Sequence, residues 1–134
     1  MAVVVFDSDV LIGFLNRDDA HHVGAVEHVQ AAMAPGNQRL LCAVNLAEIM
    51  IGPIRAGTQE VVGQMLDQFG IATIPVGGEL ASRAAAVRAR TNLKLPDAFA
   101  VATAIDAQHH SPEDVQLASF DAAVRRAFGE LRVS

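Results

Sequence analysis

Short runs of apolar, largely β-branched residues alternate with longer helix-like segments along this sequence, and that alternation constrains the fold more than any other feature. The first run, Ala2–Phe6, contains no polar residue and is followed at once by Asp7. An unbroken apolar run of this length is typical of a strand buried on both faces, as in a parallel sheet. Further runs of this kind occur at residues 40–44, 71–76 and 115–119, with a shorter one at residues 131–133.

The segments between these runs carry helix signals. Their apolar residues recur at helical spacing, and proline or glycine marks several of their ends. We predict helices at residues 9–16, 18–33, 45–56, 58–69, 79–92, 97–108 and 121–128. Strands separated by helices require right-handed crossovers, which give a mostly parallel sheet covered on both faces. The 134 residues therefore predict a single α/β domain with three α/β/α layers, a four- to five-stranded sheet and about seven helices.

The charge balance argues against a protein that binds duplex nucleic acid mainly by neutralising phosphates. Ten basic residues stand against fifteen acidic ones, so the formal net charge is −5, whereas such binders are normally basic. The sequence has no Trp, no Tyr and six Phe residues, which disfavours an aromatic stacking platform for single strands. An acidic chain can still bind divalent cations, and the cations then supply positive charge.

Neither a membrane span nor a secretion signal is expected from this sequence. No stretch approaches ~20 uninterrupted apolar residues, and no basic region precedes the short apolar run at the N-terminus. Cys42 is the only cysteine, so it cannot form an internal disulfide. We therefore expect a buried thiol, a reducing cytoplasmic environment and no association with a membrane.

Acidic residues stand near the starts of several predicted helices; all but Asp97, which opens the helix before the fourth strand, come shortly after a predicted strand. They are Asp7, Asp9, Glu48, Asp97 and Asp121. Each has a purely structural explanation, since helix N-termini favour acidic side chains. Asn45 and Glu48 have the spacing of a capping box, and Asp9 or Asp121 would serve as the N-cap of the helix that follows it.

Convergence of these acidic residues would give them a second role. The carboxyl ends of parallel strands meet at one edge of the sheet, where ligands bind, and that edge would collect Asp7, Glu48, Asp97 and Asp121. Carboxylates at short distance raise one another's pKa, a cost that capping does not require. A hard divalent cation offsets this repulsion through oxygen ligands. Because no Cys or His accompanies the four, the sequence favours Mg²⁺ or Mn²⁺ over Zn²⁺.

Four segments carry a resemblance to a known family. They are residues 4–12 (VVFDSDVLI), 45–49 (NLAEI), 95–104 (LPDAFAVATA) and 117–121 (LASFD). Their order and spacing resemble those of PIN-domain ribonucleases, and the length and layout are similar to those of the VapC-type toxins of toxin–antitoxin pairs. The resemblance covers essentially the whole chain and implies a PIN-like α/β/α domain over residues 1–134.

The resemblance also implies which residues perform the chemistry. The acidic quartet that binds Mg²⁺ or Mn²⁺, and hydrolyses RNA to 5′-phosphate and 3′-hydroxyl ends, corresponds to Asp7, Glu48, Asp97 and Asp121. The supporting positions are Ser8, Asp9, Asn45 and Ser119. The sequence departs from the family pattern twice: Asn45 replaces the Ser or Thr that often precedes the glutamate, and Val124 replaces an aromatic residue that often follows the last aspartate.

Partners follow from the same resemblance. VapC-type toxins are usually homodimers, and a VapB-type antitoxin holds them inactive by docking in the cleft. An antitoxin arginine near the carboxylates would make electrostatic sense, because a cation can replace the charge of the metal. The apolar helices predicted within residues 45–69 could supply a groove for such a segment, or could belong to the core.

Basic side chains and histidines offer further candidate sites. If the fifth predicted helix extends far enough, Arg83, Arg90 and Lys94 share one face that leads toward Asp97. Such a stripe could bind RNA phosphates, or it could be an ordinary solvated face. Arg125 and Arg126, just after Asp121, are a second candidate, of which one residue is expected to face solvent. The spacing of the histidines does not match a metal site, so His21 and His28, seven residues apart, are expected on the exposed surface.

Three alternatives compete with a metal-dependent ribonuclease. A haloacid-dehalogenase-like phosphatase would use Asp7 and Asp9, but it needs a downstream Lys and a late acidic pair; Lys94 is the only lysine and that pair is missing. A response-regulator receiver needs a Lys after its last strand, where none occurs. A non-catalytic PIN-fold binding module is disfavoured because the acidic quartet is intact.

Overall fold

The computed structural model describes residues 1–133 as four strands and seven helices. The strands are β1 (Ala2–Phe6), β2 (Gln38–Cys42), β3 (Ile71–Ile74) and β4 (Asp114–Ala118). The helices are α1 (Ser8–Leu15), α2 (His22–Ala32), α3 (Ala43–Ala56), α4 (Gln59–Gln68), α5 (Gly78–Arg90), α6 (Leu95–His110) and α7 (Ala122–Leu131). Within the described residues, no helix is long and apolar enough to cross a membrane.

The four strands form one sheet in the order β3-β2-β1-β4, and every neighbouring pair is parallel. In the register, Val3 lies opposite Gln38 on one side and Val115 on the other. Strand β1 is central and all five of its residues are buried, as its apolar sequence predicts. The chain adds β2 and β3 on one side of β1 and then crosses to add β4 on the other. The strand order therefore reverses at β1 and β4, where open α/β sheets bind ligands.

Helices cover both faces of the sheet and complete the predicted α/β/α layers. Side chains alternate between the faces of a strand, so Val3 and Val5 pack among residues of α5, α6 and α7. Val4 and Phe6 pack on the other side, among residues of α1, α2, α3 and α4. The two buried clusters confirm the three-layer architecture.

Helix α6 is buried on all sides over the middle of its length. Every residue from position 98 to position 105 is buried, as expected for a helix that is apolar all round. Thr103 satisfies its hydroxyl within the helix by donating to the Phe99 carbonyl at 2.7 Å. The helix begins at Leu95, with Pro96 in its first turn. This position sets Asp97 in the first turn of a rigid, central helix.

Several element boundaries differ from the sequence prediction. Strand β2 begins and ends two residues earlier than predicted, so α3 starts at Ala43 and Asn45 lies inside the helix rather than at its N-cap. Helix α5 ends at Arg90, short of Lys94. Helix α7 continues through Gly129 to Leu131, and the next two described residues form a turn. The possible fifth strand at residues 131–133 is therefore wrong.

Candidate active site

Asp7 lies at the carboxyl end of the central strand and is 2% exposed. Its backbone N–H extends the β1–β4 pairing by donating to the Ala118 carbonyl at 2.9 Å. Its Oδ1 accepts from the Ser8 backbone N–H at 2.8 Å, which makes Asp7 the N-cap of α1. Its Oδ2 accepts from the Ser119 hydroxyl at 2.8 Å. The sheet and the first helix together fix this carboxylate in place.

Ser119 connects the carboxylates that follow β1 to the loop that follows β4. Its hydroxyl lies 2.8 Å from Asp7 Oδ2 and 3.4 Å from Asp9 Oδ2. A hydroxyl has one hydrogen, and the shorter contact with Asp7 is the better donor geometry. The Ser119 oxygen accepts from the Asp121 backbone N–H at 3.0 Å. Ser119 is 2% exposed, and its hydroxyl fixes the Asp7 carboxylate relative to the loop after β4.

Asp9 fastens α1 to the same loop. Its Oδ2 accepts from the Phe120 backbone N–H at 3.0 Å. Its other oxygen, Oδ1, is buried and has no hydrogen-bond partner within the described residues. A buried carboxylate oxygen without a partner is costly, and a cation or an ordered water would satisfy it. Ser8, by contrast, contacts the site through its backbone N–H.

Asn45 brings two further carboxylates together. This fully buried amide donates from Nδ2 to Glu48 Oε1 at 3.1 Å and to the Pro96 carbonyl at 3.0 Å. The first bond lies within α3, and the second joins α3 to the first turn of α6, beside Asp97. The side chain that departs from the family pattern thus holds Glu48 by a direct hydrogen bond. Its Oδ1 is buried and has no partner among the described residues.

Asp121 caps a helix and also lies near the other acidic residues. Asp121 is exposed, and its Oδ1 caps α7 by accepting from the Ala123 backbone N–H at 2.8 Å. Burial is the largest cause of the raised pKa values of Asp97 and Asp9, and repulsion by Asp121 raises both further. The capping and convergence interpretations are therefore compatible at this residue.

The burial of Asp7 changes its acidity strongly. Loss of solvation, followed by repulsion from Asp9 and Asp97, raises the pKa of the Asp7 carboxyl to about 7. Hydrogen bonds from Ser119 and from the Ser8 backbone lower this pKa but do not cancel the rise. At neutral pH, the protein therefore holds a carboxylate whose negative charge is poorly solvated.

Asp97 and Asp9 are perturbed in the same direction. Burial raises the pKa of Asp97 most, and repulsion by Asp121, Glu48 and Asp9 raises it further. Burial is also the main cause of the raised pKa of Asp9, against opposing backbone hydrogen bonds. Since neighbouring carboxylates contribute to these raised pKa values, Asp7, Asp9 and Asp97 lie within electrostatic reach of one another or of Glu48 and Asp121. We call Asp7, Asp9, Glu48, Asp97 and Asp121 the acidic cluster.

The donor chemistry of the acidic cluster fits a hard divalent cation. All of its side-chain donors are oxygen atoms, three of its carboxyls have raised pKa values, and Asp9 Oδ1 is buried without a partner in the described chain. No three acidic, His or Cys side chains of residues 1–133 form a group that could hold a metal ion as they stand. Mg²⁺ usually keeps several waters and binds through one or two carboxylates, so a complete protein cage is not required.

The predicted basic stripe does not form on one helix face, because α5 ends before Lys94. Arg83 lies 3.9 Å from Asp106. Asp106 is roughly 13 Å along α6 from Asp97, at 1.5 Å per residue, so this contact lies away from Asp97. Lys94, just before α6, partly opposes the burial that raises the pKa of Asp97. Arg125 donates from Nη1 to the Ser119 carbonyl at 2.7 Å, which supports the loop after β4.

Arg126 is the other residue of the basic pair that the sequence analysis considered after Asp121. Together with Arg90, it lines a groove of about 300 Å³ between the end of α5 and α7. The other lining residues include Leu93, Ala123 and Glu130. Ala123 follows Asp121 by two residues, so this groove opens close to the acidic cluster. In the sequence, only their position four to five residues after Asp121 favours Arg125 or Arg126 as a binding residue.

An apolar groove of about 590 Å³ lies between α1 and α3. Ile12, Leu15, Ile51 and Pro53 contribute to its lining, and Glu48 of the acidic cluster lines it as well. Ile51 is 49% exposed. The sequence analysis left open whether the helices of residues 45–69 form a groove or core, and they do both: Ile49, Val62 and Met65 are buried.

The central strand of the parallel sheet ends in a buried aspartate, and carboxylates from neighbouring elements lie near it. The protein is therefore an α/β protein with an acidic site at the point where the strand order reverses. The family model of the PIN domain matches residues 4–131. The chain belongs to the PIN domain family, which confirms the resemblance seen in the sequence.

Solved structures with this fold include proteins of toxin–antitoxin systems. One is a toxin–antitoxin complex from Klebsiella pneumoniae, with 24% identity, a TM-score of 0.66 and coverage of 88% of this chain and 86% of that one. A second is VapC20 of Mycobacterium tuberculosis, described as a sarcin–ricin loop cleaving toxin, with 17% identity, a TM-score of 0.72 and coverage of 92% and 94%. A third is VapBC2 from Rickettsia felis bound to a promoter DNA fragment, with 13% identity, a TM-score of 0.58 and coverage of 87% and 99%. No curated protein sequence matches the chain significantly.

Proposed function

We propose that this protein is a Mg²⁺- or Mn²⁺-dependent ribonuclease that hydrolyses RNA phosphodiester bonds and serves as the toxin of a type II toxin–antitoxin pair. The observation that carries the proposal is the acidic cluster at the carboxyl ends of β1 and β4, with the pKa of its buried Asp7 raised to about 7. A structural role does not require this repulsion, whereas a cation between the enzyme and an RNA phosphate relieves it.

The residues of the acidic cluster have different parts in this proposal. Asp7 and Asp97 would hold the cation, and Glu48 and Asp121 would complete its surroundings together with waters. When bound, Mg²⁺ or Mn²⁺ lowers the pKa of water and offsets negative charge on phosphate oxygens. Ser119 orients Asp7, and Asn45 orients Glu48, through the hydrogen bonds described above. Asp9 holds the loop after β4 against α1.

The test is cleavage of defined RNAs by the purified protein. Structured and unstructured RNAs are incubated with Mg²⁺, with Mn²⁺ or with EDTA, and the new ends are mapped. We expect cleavage with either cation and none with EDTA, leaving 5′-phosphate and 3′-hydroxyl ends. Cleavage that persists in EDTA, or ends of the opposite kind, would contradict the proposal.

The neighbours of known structure support the partner part of the proposal. They include a toxin–antitoxin complex and a toxin–antitoxin pair bound to its promoter DNA. For this chain, we propose that a VapB-type antitoxin lays an apolar segment into the groove between α1 and α3 and directs an arginine toward the acidic cluster. Co-expression with the product of an adjacent reading frame should then restore growth of cells that the protein inhibits.

The remaining expectations belong to the same proposal. We propose that residues 1–134 act as one domain, that two copies form a homodimer, and that the protein works in the cytoplasm. The PIN family match replaces the haloacid-dehalogenase-like phosphatase hypothesis for Asp7 and Asp9. A non-catalytic PIN-fold binding module is the competing hypothesis, and it predicts RNA or protein binding without any cleavage.

Substitution of Ser119 by alanine tests the positioning role of its hydroxyl. The change removes the hydrogen bond to Asp7 Oδ2 and the acceptor for the Asp121 N–H. Loss of such partners of ligating groups typically costs 10–100-fold in activity or metal affinity, and we expect a loss within about that range in kcat/KM. Ser82→Ala on the exposed part of α5 is the control. Unchanged cleavage by Ser119→Ala would remove this residue from the site.

The double substitution of Arg90 and Arg126 by alanine tests the basic groove. If both arginines neutralise phosphates of a single strand, their loss should make the plot of log association constant against log salt concentration less steep. The magnitude of the slope should fall by about 1.4, since each contact contributes roughly 0.7. RNA affinity should fall across all sequences. Arg55→Ala, on the opposite face of the sheet, is the control. An unchanged salt slope would show that the groove does not carry RNA.

A further inference from the structure

Phe120 sits in a slot on α2 that three residues form at helical spacing. The imidazole of His21 stacks on the Phe120 ring at a centroid distance of 4.4 Å and an angle of 13°. His28 contacts the same ring edge-on, at 5.3 Å and 72°. Between them, a Cβ at Gly24 would lie 3.1 Å from Phe120 Cε1. The sequence analysis assigned these histidines to the exposed surface and attached no partner to them.

This stack is joined directly to the acidic cluster. Phe120 lies between Ser119 and Asp121, and its backbone N–H donates to Asp9 Oδ2 at 3.0 Å. The position of the Phe120 ring relative to the Asp9 carboxylate is therefore fixed by this backbone hydrogen bond. An RNA phosphate at Asp9 or Asp121 would therefore place its adjacent nucleotides near the stacked rings of Phe120 and His21.

His21 is exposed, and only one of its faces is occupied by Phe120. In the described part of the chain, its ring nitrogens have no hydrogen-bond or ion-pair partner, because the contact with Asp19 is made by the backbone N–H. The neighbouring His22 differs, since its Nδ1 lies 2.8 Å from the Gly13 carbonyl. His21 thus combines a ring ordered by stacking with an unpaired polar edge.

We propose that the outer face of His21, backed by Phe120, stacks an unpaired nucleobase of the RNA next to the phosphate that is cleaved. This inference rests on the proposed ribonuclease function and assigns His21 a base-binding role beside the acidic cluster. Proteins recognise single-stranded RNA by stacking splayed bases on aromatic and His side chains. The chain lacks Trp and Tyr, and the His21–Phe120 pair supplies a flat surface without them.

The test is a double-mutant cycle in which His21→Ala is one change and the removal of a single base from the RNA is the other. Cleavage sites are first mapped on an unstructured RNA, and abasic nucleotides are then introduced one position at a time on both sides of the cut. Base stacking is worth about 1–3 kcal/mol, so we expect His21→Ala to reduce kcat/KM by roughly 5- to 150-fold on intact RNA. At one abasic position, wild type should lose a similar factor, and His21→Ala should lose nothing more.

Two companion variants separate stacking from anchoring of the loop. His21→Phe keeps a flat ring and should restore most of kcat/KM, whereas His28→Ala removes the edge contact and should leave the response to the abasic position intact. His109→Ala, on an exposed residue of α6, is the matched control. Equal losses by His21→Ala on intact and abasic RNA would overturn the inference and leave His21 as an anchor of the loop.

A binding measurement keeps the inference testable without cleavage. Wild type and His21→Ala are titrated into unstructured oligoribonucleotides that carry the fluorescent base 2-aminopurine at successive positions. Stacking on His21 should quench one position in the wild type only. If wild type cleaves no RNA, the proposed function fails; if RNA is cleaved or bound with no effect of His21→Ala, the stacking inference alone fails.

Discussion

Replacing Asp7 by asparagine is expected to lower RNA cleavage by about 100-fold or more at saturating Mg²⁺. Asp7 lies at the end of the central strand, and its carboxylate is held in a fixed, buried position at the site. Loss of a residue that merely orients a metal ligand costs 10–100-fold, so loss of a proposed ligand should cost at least as much. Initial rates on one defined RNA, with wild type and variant side by side, measure the effect.

The same variant should remain folded, which separates catalysis from stability. Asparagine has nearly the shape of aspartate and removes a buried charge that the protein solvates poorly, so the midpoint of unfolding at pH 8 should not fall. Asp67→Asn, on the exposed surface of α4, is the matched control and should cleave like wild type. If Asp7→Asn cleaves as well as wild type, the ribonuclease proposal is wrong and the binding-module hypothesis gains support.

The metal-free protein is expected to become less stable as the pH rises from about 4 to 7. Burial raises the pKa of Asp7 from 3.8 to about 7 in the folded state, so the folded protein binds more protons than the unfolded chain within this window. Stability then falls with increasing pH, by up to ~1.4 kcal/mol per pH unit for one proton. The raised pKa values of Asp97 and Asp9 act in the same direction.

Denaturant unfolding in EDTA across this pH range measures the effect, and Asp7→Asn should show a shallower slope. Adding Mg²⁺ or Mn²⁺ at pH 7.5 should restore stability in the wild type, by about 2.7 kcal/mol at a concentration of 100 Kd. The Asp7→Asn variant should respond much less. A stability that rises between pH 4 and pH 7 in EDTA would contradict the electrostatics described for the acidic cluster.

Much of the fold follows from local sequence patterns. Strand β1 coincides with the apolar run Ala2–Phe6, because a central strand of a parallel sheet must be apolar on both faces. The edge at which Asp7 and Asp121 lie follows from strand direction alone, since parallel strands end together. These two rules predict a common region for Asp7 and Asp121, whereas Asp97 lies in α6, which follows another helix and not a strand.

What the sequence does not reveal depends on contacts between distant segments. Arg39 belongs to β2 although it is charged, because its guanidinium satisfies the carbonyls of Ala32, Asn37 and Phe69. Helix α7 passes Gly129 because a helical glycine costs only about 1 kcal/mol, and the buried Phe128 holds that turn.

The same limit applies to the candidate site. Asn45 has the spacing of a capping residue, yet its amide reaches the Pro96 carbonyl, 51 positions away in sequence. Neither periodicity nor charge predicts that partner. The slot for Phe120 on α2 is equally invisible in the sequence, since it needs a glycine and two histidines of one helix to meet a loop from the far end of the chain.

The hydrogen bond between Ser119 and Asp7 spans 112 positions of the chain. The two ends of this contact can therefore meet only after translation has passed Ser119. Until then, the emerging polypeptide carries Asp7 without the hydroxyl donor that positions its Oδ2. The order of the strands thus makes the arrangement of the acidic cluster a late event of synthesis, because β4 and the loop after it must join β1 first.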